Sequence, residues 1–487
     1  MNSRFPAAEL NRRLGWALPA LAALVFGIVR LPELIRSPLW YDELFSLGVA
    51  GLPLADSLRR IVADHTNPPL FYLLLKAWMA FGGDGDQWVR LLPCLFAMFL
   101  GAALVWLARE ARAGAWAGTL AVALAAASPL LVDLANEVRA YSLLALLACL
   151  SLAATLDDRH RGTRNSFAVM TLINIALVHT HYFGWLTVGA ECAAALCCTP
   201  RTQAWRTLRS ALYTLLAFLP WGVTVAAHAL GNRAPLRNVA WISAPDAAAP
   251  LWLVRDLTGR SGSGIADLAW LAFVAVAVVM FAAALWRRRS APVGALPASS
   301  DAVEAHTAVL LALAGLGVPL LVWGWSVASG HSVWVQRYLL GTAAPVALLV
   351  AMAVVALPPR RWALTAIAGF LWAAASFAEL PLRAPTKFDW RRFTLRIERS
   401  VGSPADVYAL EAFTAAPFQR YARAGMRLHM VSALDQLPSG DLWLLYRRDS
   451  FAAGSPAEAL RALGFRTVSS LSAETAGQKI VAVRIQR

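Results

Sequence analysis

One pattern limits this chain more than any other. Long apolar runs recur along it, and arginines gather in the gaps between them. Roughly 20 consecutive apolar residues suffice to cross the hydrocarbon core of a bilayer, and the stretch from Leu14 to Ile35 is the first of several such runs. A backbone in hydrocarbon has no water to bond to, so it must satisfy its own N–H and C=O groups as helix. Of the 487 residues, 59% are hydrophobic and 15% are charged. With a mean hydropathy of +0.55, the chain is not an ordinary soluble domain.

The arginine clusters orient the spans, because short cytoplasmic loops carry the excess of Lys and Arg. Arg4, Arg12 and Arg13 place the N-terminus in the cytoplasm, and Arg109 with Arg112 marks the next cytoplasmic turn. Further turns fall at Arg159, Arg161 and Arg164, at Arg201, Arg206 and Arg209, at Arg287 to Arg289, and at Arg360 and Arg361. Spans then lie near 14–35, 88–108, 114–132, 139–156, 166–180, 183–198, 208–229, 266–286, 306–328, 338–356 and 362–380. That makes about eleven transmembrane helices, with the C-terminus outside the cytoplasm. No small-residue cleavage site follows the first run, which therefore reads as an uncleaved span and not a signal peptide. The segment from Asn67 to Gly82 is apolar but short and contains Lys76. It reads as a helix at the outer interface, with Pro68 and Pro69 in its first turn.

The net charge of +15 punctuates apolar spans and does not form a soluble basic patch. It points to cytoplasmic loops and anionic membrane lipid, with no nucleic-acid partner. Cys94, Cys149, Cys192, Cys197 and Cys198 all lie in or beside apolar runs, without metal spacing, and read as small buried hydrophobes.

Residues 1–380 thus form a polytopic α-helical membrane domain with outer loops at 36–87, 133–138, 230–265 and 329–337. Residues 381–487 change composition and read as a small extracytoplasmic α/β domain. Its expected strands are Val407 to Leu410, Leu442 to Tyr446 and Ile480 to Ile485; its expected helices are Arg391 to Ser400, Glu411 to Ala424 and Pro456 to Leu463. The glycine-rich end of loop 230–265, Gly259 to Gly264, reads as a flap or a linker.

The outer segments collect the unusual polar residues. Asp42-Glu43 follows the first span, between aromatic residues. Acids so close to hydrocarbon are costly and mark a functional site unless they are caps. With them come Asp64-His65-Thr66-Asn67, Asn136-Glu137 with Arg139 and Tyr141, and His179 to Tyr182. His331 with Gln336-Arg337-Tyr338 and Asp389-Trp390-Arg391 complete the set. Singly, each acid reads as a helix cap and each histidine as a structural interface residue. Together they offer a carboxylate base and guanidinium forks that fit phosphate. The chemistry suggested is transfer of a group from a lipid phosphate to a nucleophile. No phosphate-binding P-loop, dinucleotide fingerprint, zinc-protease or nucleophile-elbow motif is present.

These residues resemble a pattern in the GT-C membrane glycosyltransferases, in the protein O-mannosyltransferase and aminoarabinose-transferase group (glycosyltransferase family 39 type). The matching stretches are Pro38 to Glu43, Asn67-Pro68-Pro69-Leu70-Phe71-Tyr72, Trp88 to Leu92, and Ser128-Pro129 with Asn136 to Tyr141. His181-Tyr182-Phe183, Arg337-Tyr338-Leu339 and Asp389-Trp390-Arg391 follow in the same order. The resemblance implies an inverting transferase in the plasma (inner) membrane. It would take a sugar from a polyprenyl-phosphate donor on the extracytoplasmic (periplasmic) face and pass it to a glycan, lipid or protein acceptor. It implies Asp42 as catalytic base, assisted by Glu43. His65, Asn67, Lys76, Glu137, Arg139, Tyr141, His181, Tyr182, Arg337 and Tyr338 become donor-phosphate or substrate-binding residues, with Arg337 on the phosphate. Asn67 stands where such proteins usually carry His or Lys before Pro-Pro, and His65 is the candidate replacement. Gln336 stands where they carry Glu. These departures leave the dependence on a divalent metal open, and no other cofactor is implied.

Two other classes compete. A transporter or flippase for lipid-linked glycans would want charges along a path through the spans, whereas here they gather on one face. A structural membrane component would leave Asp42-Glu43 unexplained.

Overall fold

The computed structural model describes residues 7–31, 34, 38–231, 242–289, 298–356, 362–382, 387–401, 405–448, 456–475 and 478–487. Arg4, Ser37, Arg360, Arg361 and positions 232–241 of the long outer loop lie outside the described residues. The chain divides into two compact units. The first comprises Met1–Leu34, Val49–Gly83 and Trp88–Leu382. The second comprises Ile35–Gly48, Asp84–Gln87 and Arg383–Arg487.

The first unit is helical. Among the described residues, six helices are long and apolar enough to cross a membrane: Asp86–Glu110, Tyr141–Arg161, Arg201–Leu230, Gly264–Ala283, Ala305–Ala328 and Gln336–Val355. Five shorter apolar helices accompany them: Gly15–Ile28, Leu70–Gly82, Gly114–Ala127, Gly184–Cys198 and Ala363–Glu379. The chain is a multi-pass membrane protein, with six helices long enough by this measure where the sequence pattern suggests about eleven. Arg164–Thr180 falls in neither group, since Arg164, Asn165, Asn174 and His179 dilute its apolar content. The stretch 114–132 breaks at Ser128, whose Oγ accepts the Leu131 N–H and caps a new short helix, Pro129–Leu134. The missing N–H of Pro129 matters little in that first turn. Loop 230–265 contains an additional helix, Ala249–Thr258.

Small residues let these helices approach closely. Gly114–Ala127 packs against Ala7–Ile28, Ala343–Val355 and Trp362–Glu379, burying Ala117, Ala121 and Ala125. At Gly315, inside the π-helical turn Leu313–Gly317, a Cβ would stand 3.1 Å from the Val346 backbone nitrogen.

Deep in this unit, Ser151, Asn174 and Glu191 form a polar ring across three helices. Ser151 Oγ lies 2.5 Å from Asn174 Oδ1 and 2.5 Å from Glu191 Oε1, while Asn174 Nδ2 donates to Glu191 Oε2 at 3.0 Å. A serine has one proton to give. If it goes to Asn174, the short contact to Glu191 requires the carboxyl to donate in turn. The ring then closes with every donor matched to an acceptor, and Glu191 enters it as the neutral acid.

The second unit is α/β. Its strands are β1 (Ala405–Ala409), β2 (Met426–Met430), β3 (Asp441–Arg447), β4 (Arg466–Thr475) and β5 (Gln478–Gln486), in the order β2-β1-β3-β5-β4. The first three are parallel, and β5 runs antiparallel between β3 and β4. Alternate side chains serve alternate faces. Val407, Ala409, Trp443 and Leu445 pack with Trp390, Phe393 and Phe418. Leu442, Leu444 and Tyr446 pack on the other face with Leu460 and Phe465. Two distant segments join this unit. The Leu39 N–H donates to Tyr421 Oη at 2.6 Å, and Tyr421 Oη donates to Asp86 Oδ2 at 2.7 Å. Asp86 also receives Arg391 at 3.1 Å and Arg420 at 3.0 Å.

Candidate active site

In the second unit, Asp42 and Glu43 occupy the first turn of helix Tyr41–Gly51, where the helix dipole favours negative charge. The two neighbouring acids have different surroundings. Glu43 is fully buried, and its Oε2 accepts the Trp40 N–H at 3.1 Å, closing the start of the helix. Its Oε1 stands 3.7 Å from Nζ of Lys387. Asp42 is half-buried, and its carbonyl accepts Ser46 Oγ at 3.1 Å. Glu43 is thus held as part of the scaffold, and Asp42 is the more accessible acid. Lys387 is a partner that sequence reasoning missed; the signal was its place two residues before Asp389-Trp390-Arg391. That triplet is itself structural here. Asp389 Oδ1 caps its helix by accepting the Arg392 N–H at 2.9 Å, Trp390 is core, and Arg391 pairs with Asp86.

In the first unit, three separate stretches meet through their rings. Tyr141 lies 6.4 Å from His181 and 6.2 Å from Tyr338 (centroid distances), and His181 lies 5.1 Å from Tyr338. The Arg337 guanidinium sits 5.8 Å from the ring centres of both Tyr141 and Tyr338, a cation–π arrangement. Glu137 and Arg139, both buried, belong to the tight turn before Tyr141, where the Arg139 N–H donates to the Glu137 carbonyl at 2.6 Å. The Phe183 N–H donates to His181 Nδ1 at 3.2 Å, so the neutral ring carries its proton on Nε2. Burial, aided by the Arg139 charge, pushes His181 down to about 3, so it stays neutral at physiological pH. The Tyr141 hydroxyl is buried with no hydrogen-bond partner among the described residues.

A second group lies around the loop after helix Leu54–Asp64. His65 holds a left-handed backbone, φ +43°, which costs a side chain such as histidine of order 1 kcal/mol. Its Nε2 and the Oδ1 of buried Asn67 make no hydrogen bond among the described residues. Tyr182 is raised above the usual tyrosine range, chiefly by burial and also by the nearby Asp64 carboxylate, which ties the two loops together electrostatically. Lys76 is directed elsewhere: its Nζ donates to the carbonyls of Ala50, at 3.0 Å, and Leu52. It serves the C-terminal end of helix Tyr41–Gly51. His179 and His331 bond to their local carbonyls, Ile175 and Ser329. Loop Gly259–Gly264 is a bonded turn, in which Asp267 Oδ1 accepts the Ser261 N–H and hydroxyl, each at 2.9 Å. Among the described residues, no three His, Cys, Asp or Glu side chains stand together as a metal-ligand set.

No family model matches the sequence, and no curated relative matches it either. Solved structures do. The chain superposes on ArnT from Cupriavidus metallidurans, bound to undecaprenyl phosphate, with a TM-score of 0.54 at 13% identity, covering 96% of this chain and 97% of that one. It superposes on the arabinofuranosyltransferase AftD from mycobacteria with a TM-score of 0.52 at 16% identity, covering 96% of this chain but 40% of that one. Both are GT-C glycosyltransferases. At such low identity the likeness is one of architecture, and this chain has the GT-C membrane-glycosyltransferase fold.

Proposed function

We propose that the protein is an inverting membrane glycosyltransferase that moves a sugar from a polyprenyl-phosphate donor to an acceptor on the extracytoplasmic side of the plasma (inner) membrane. The observation that carries this reading is the acid pair at the start of helix Tyr41–Gly51, one acid fully buried and one half-buried, in a chain whose fold matches ArnT along nearly its whole length. The ArnT structure holds undecaprenyl phosphate, and that ligand suggests the donor class.

In this mechanism Asp42 removes the proton from the acceptor hydroxyl or amine as that atom attacks the anomeric carbon. The bond from that carbon to the phosphate oxygen breaks, configuration inverts, and polyprenyl phosphate leaves with the bonding pair. Glu43, with Lys387, positions the Asp42 turn. Arg337 and Arg139 hold the phosphate, and the neutral His181 can donate from Nε2 to an oxygen. His65, Asn67, Glu137, Tyr141, Tyr182 and Tyr338 supply the remaining donor contacts. Lys76 shapes the end of the Asp42 helix.

The test is Asp42→Asn in the purified full-length chain, assayed with short-chain polyprenyl-phosphate sugars. The expected result is a roughly 10²- to 10⁴-fold loss of turnover, the usual contribution of a general base, with donor binding retained. Full activity in the folded variant would sink the assignment.

A further inference from the structure

Helix Ala249–Thr258 contributes no ring to the cluster of Tyr141, His181, Arg337 and Tyr338, yet it reaches the stretches that build it. It packs against Gly114–Ala127, Pro129–Leu134, Val318–Ala328 and Ala343–Val355. Its last residue fixes it there. The buried Thr258 accepts the Trp270 indole N–H on its hydroxyl at 3.0 Å and the Trp372 indole N–H on its carbonyl at 3.1 Å. The two indoles stack with centroids 4.9 Å apart. The helix is a fixed strut between neighbouring spans.

Asp256, two residues before Thr258, joins two of those stretches. Its carbonyl accepts Ser128 Oγ at 2.7 Å. Ser128 is fully buried and caps helix Pro129–Leu134. The last carbonyl of that helix, on Leu134, accepts Ser142 Oγ at 3.0 Å and the Glu137 N–H at 3.3 Å. This route ends at the turn that carries Glu137, Arg139 and Tyr141. The carboxylate takes a second route. Its Oδ1 accepts Nε and Nη2 of Arg255, each at 2.8 Å, and its Oδ2 accepts the Gln336 amide at 3.4 Å. Gln336 opens the 3₁₀ turn Gln336–Thr342, directly before Arg337 and Tyr338. That turn packs on Pro129–Leu134, so the two routes meet. The Gln336 contact is long for a hydrogen bond and weak by itself. The carboxylate that receives it is held firmly, because Arg255 also faces Asp267 Oδ2 at 3.7 Å and lies over the Trp252 ring at 4.8 Å. A guanidinium recognises phosphate through the geometry of its fork, so whatever sets its backbone also sets its affinity.

We propose that Asp256 is a positioning residue for the donor phosphate. Its carboxylate, through Gln336, sets the turn that presents Arg337, while its carbonyl, through Ser128, anchors the turn that presents Arg139 and Tyr141. The inference rests on the glycosyltransferase reading, in which both arginines hold that phosphate. Asp256 acts through these neighbours and not on the substrate itself.

The experiment measures binding of a short-chain polyprenyl phosphate to the full-length chain in detergent, well below the thermal midpoint, beside a thermal scan of each variant. Asp256→Ala is expected to weaken binding roughly three- to tenfold, the worth of one hydrogen bond. Gln336→Leu is expected to cost about as much. The double variant should lose no more than either single one, because both cut the same route. Asp256→Asn keeps that route: its Oδ1 can accept Arg255 while its Nδ2 donates to a turned Gln336 Oε1. Its affinity should lie within about twofold of wild type. A residue that only packs would lower the midpoint and leave binding below it unchanged. Wild-type affinity in Asp256→Ala, or losses that multiply in the double variant, would overturn the inference and leave the glycosyltransferase reading standing. If Asp256→Ala does not fold, Gln336→Leu decides: the same loss supports the inference and unchanged affinity overturns it. No binding by wild type would remove the donor reading, and the inference with it.

Discussion

Two polar regions of the helical unit invite comparison: the Ser151–Asn174–Glu191 ring and the cluster of Tyr141, His181, Arg337 and Tyr338. Both place ionisable or hydroxyl groups where burial is expensive. The ring is closed. Each member gives and receives within hydrogen-bond distance, and the single carboxyl completes the proton count as a neutral acid. The cluster is open. The buried Tyr141 hydroxyl has no partner among the described residues, and His181 keeps its proton on the nitrogen that the Phe183 amide does not occupy. A closed polar network specifies structure, whereas an open one leaves groups for something that is not part of the chain. In the second unit Glu43, held by Trp40 and Lys387, is fully buried, whereas its neighbour Asp42 is half-buried.

The comparison breaks first, and with the largest effect, at Arg337. If the open cluster holds a donor phosphate, Arg337→Ala removes a charge-assisted contact worth about 1.5–3 kcal/mol, a fall in kcat/KM of about 10- to 100-fold. The thermal midpoint without substrate should fall by less than the activity does, since the guanidinium also stacks on Tyr141 and Tyr338. Steady-state kinetics beside a thermal scan distinguishes this from a packing role, which would lower the midpoint as much as the activity.

The ring should behave in the opposite way. Glu191→Leu strands the Ser151 hydroxyl and the Asn174 amide in an apolar interior, a loss of about 1–3 kcal/mol. The midpoint should fall while kcat/KM below it stays near wild type. Glu191→Gln is the sharper variant. A glutamine amide donates to Ser151 and accepts from Asn174 as the neutral acid does, so its stability should stay within about 1 kcal/mol of wild type. A large loss from Glu191→Gln would mean that the carboxyl is ionised and that the ring has been misassigned.

Much of this was legible in the sequence, because the bilayer makes hydropathy informative. The stretches Glu137–Tyr141, His181–Tyr182 and Arg337–Tyr338 were predicted to act together, and their rings do meet. In the second unit β1, β3 and β5 announced themselves as apolar runs. β2 and β4 did not, because they are the sheet's edge strands and mostly exposed. The attachment of Ile35–Gly48 and Asp84–Gln87 to the C-terminal unit was invisible, since it depends on Tyr421 and Arg420 meeting Asp86 more than 330 positions away in sequence. Lys76 looked like a substrate cation and proved to bind helix-end carbonyls, a role set by three-dimensional proximity. The ring could have been found. Glu191 is a lone carboxylate inside an apolar run, and such a residue calls for partners on neighbouring spans.

The smallest expected effect calibrates the other two. Asp84 and Arg420 of the second unit form a pair 2.8 Å apart, with the Asp84 side chain 61% exposed. Hydrogen bonding from Arg420, and then its charge, hold Asp84 below its ordinary 3.8. A carboxylate depressed in the folded state binds protons less readily there than in the unfolded chain. The pair's contribution is therefore fully present above about pH 4 and is lost as pH falls through the folded value. Solvent screens such pairs, so the contribution should be under about 1 kcal/mol and shrink further in salt. Arg420→Gln should flatten the acid limb of stability below about pH 4 by that much, as read from thermal midpoints across the acid range. A loss several times larger, persisting at high salt, would mean that Arg420 acts mainly through Asp86, where it meets Tyr421 and Arg391. The junction would then behave like the closed ring and not like an exposed surface pair.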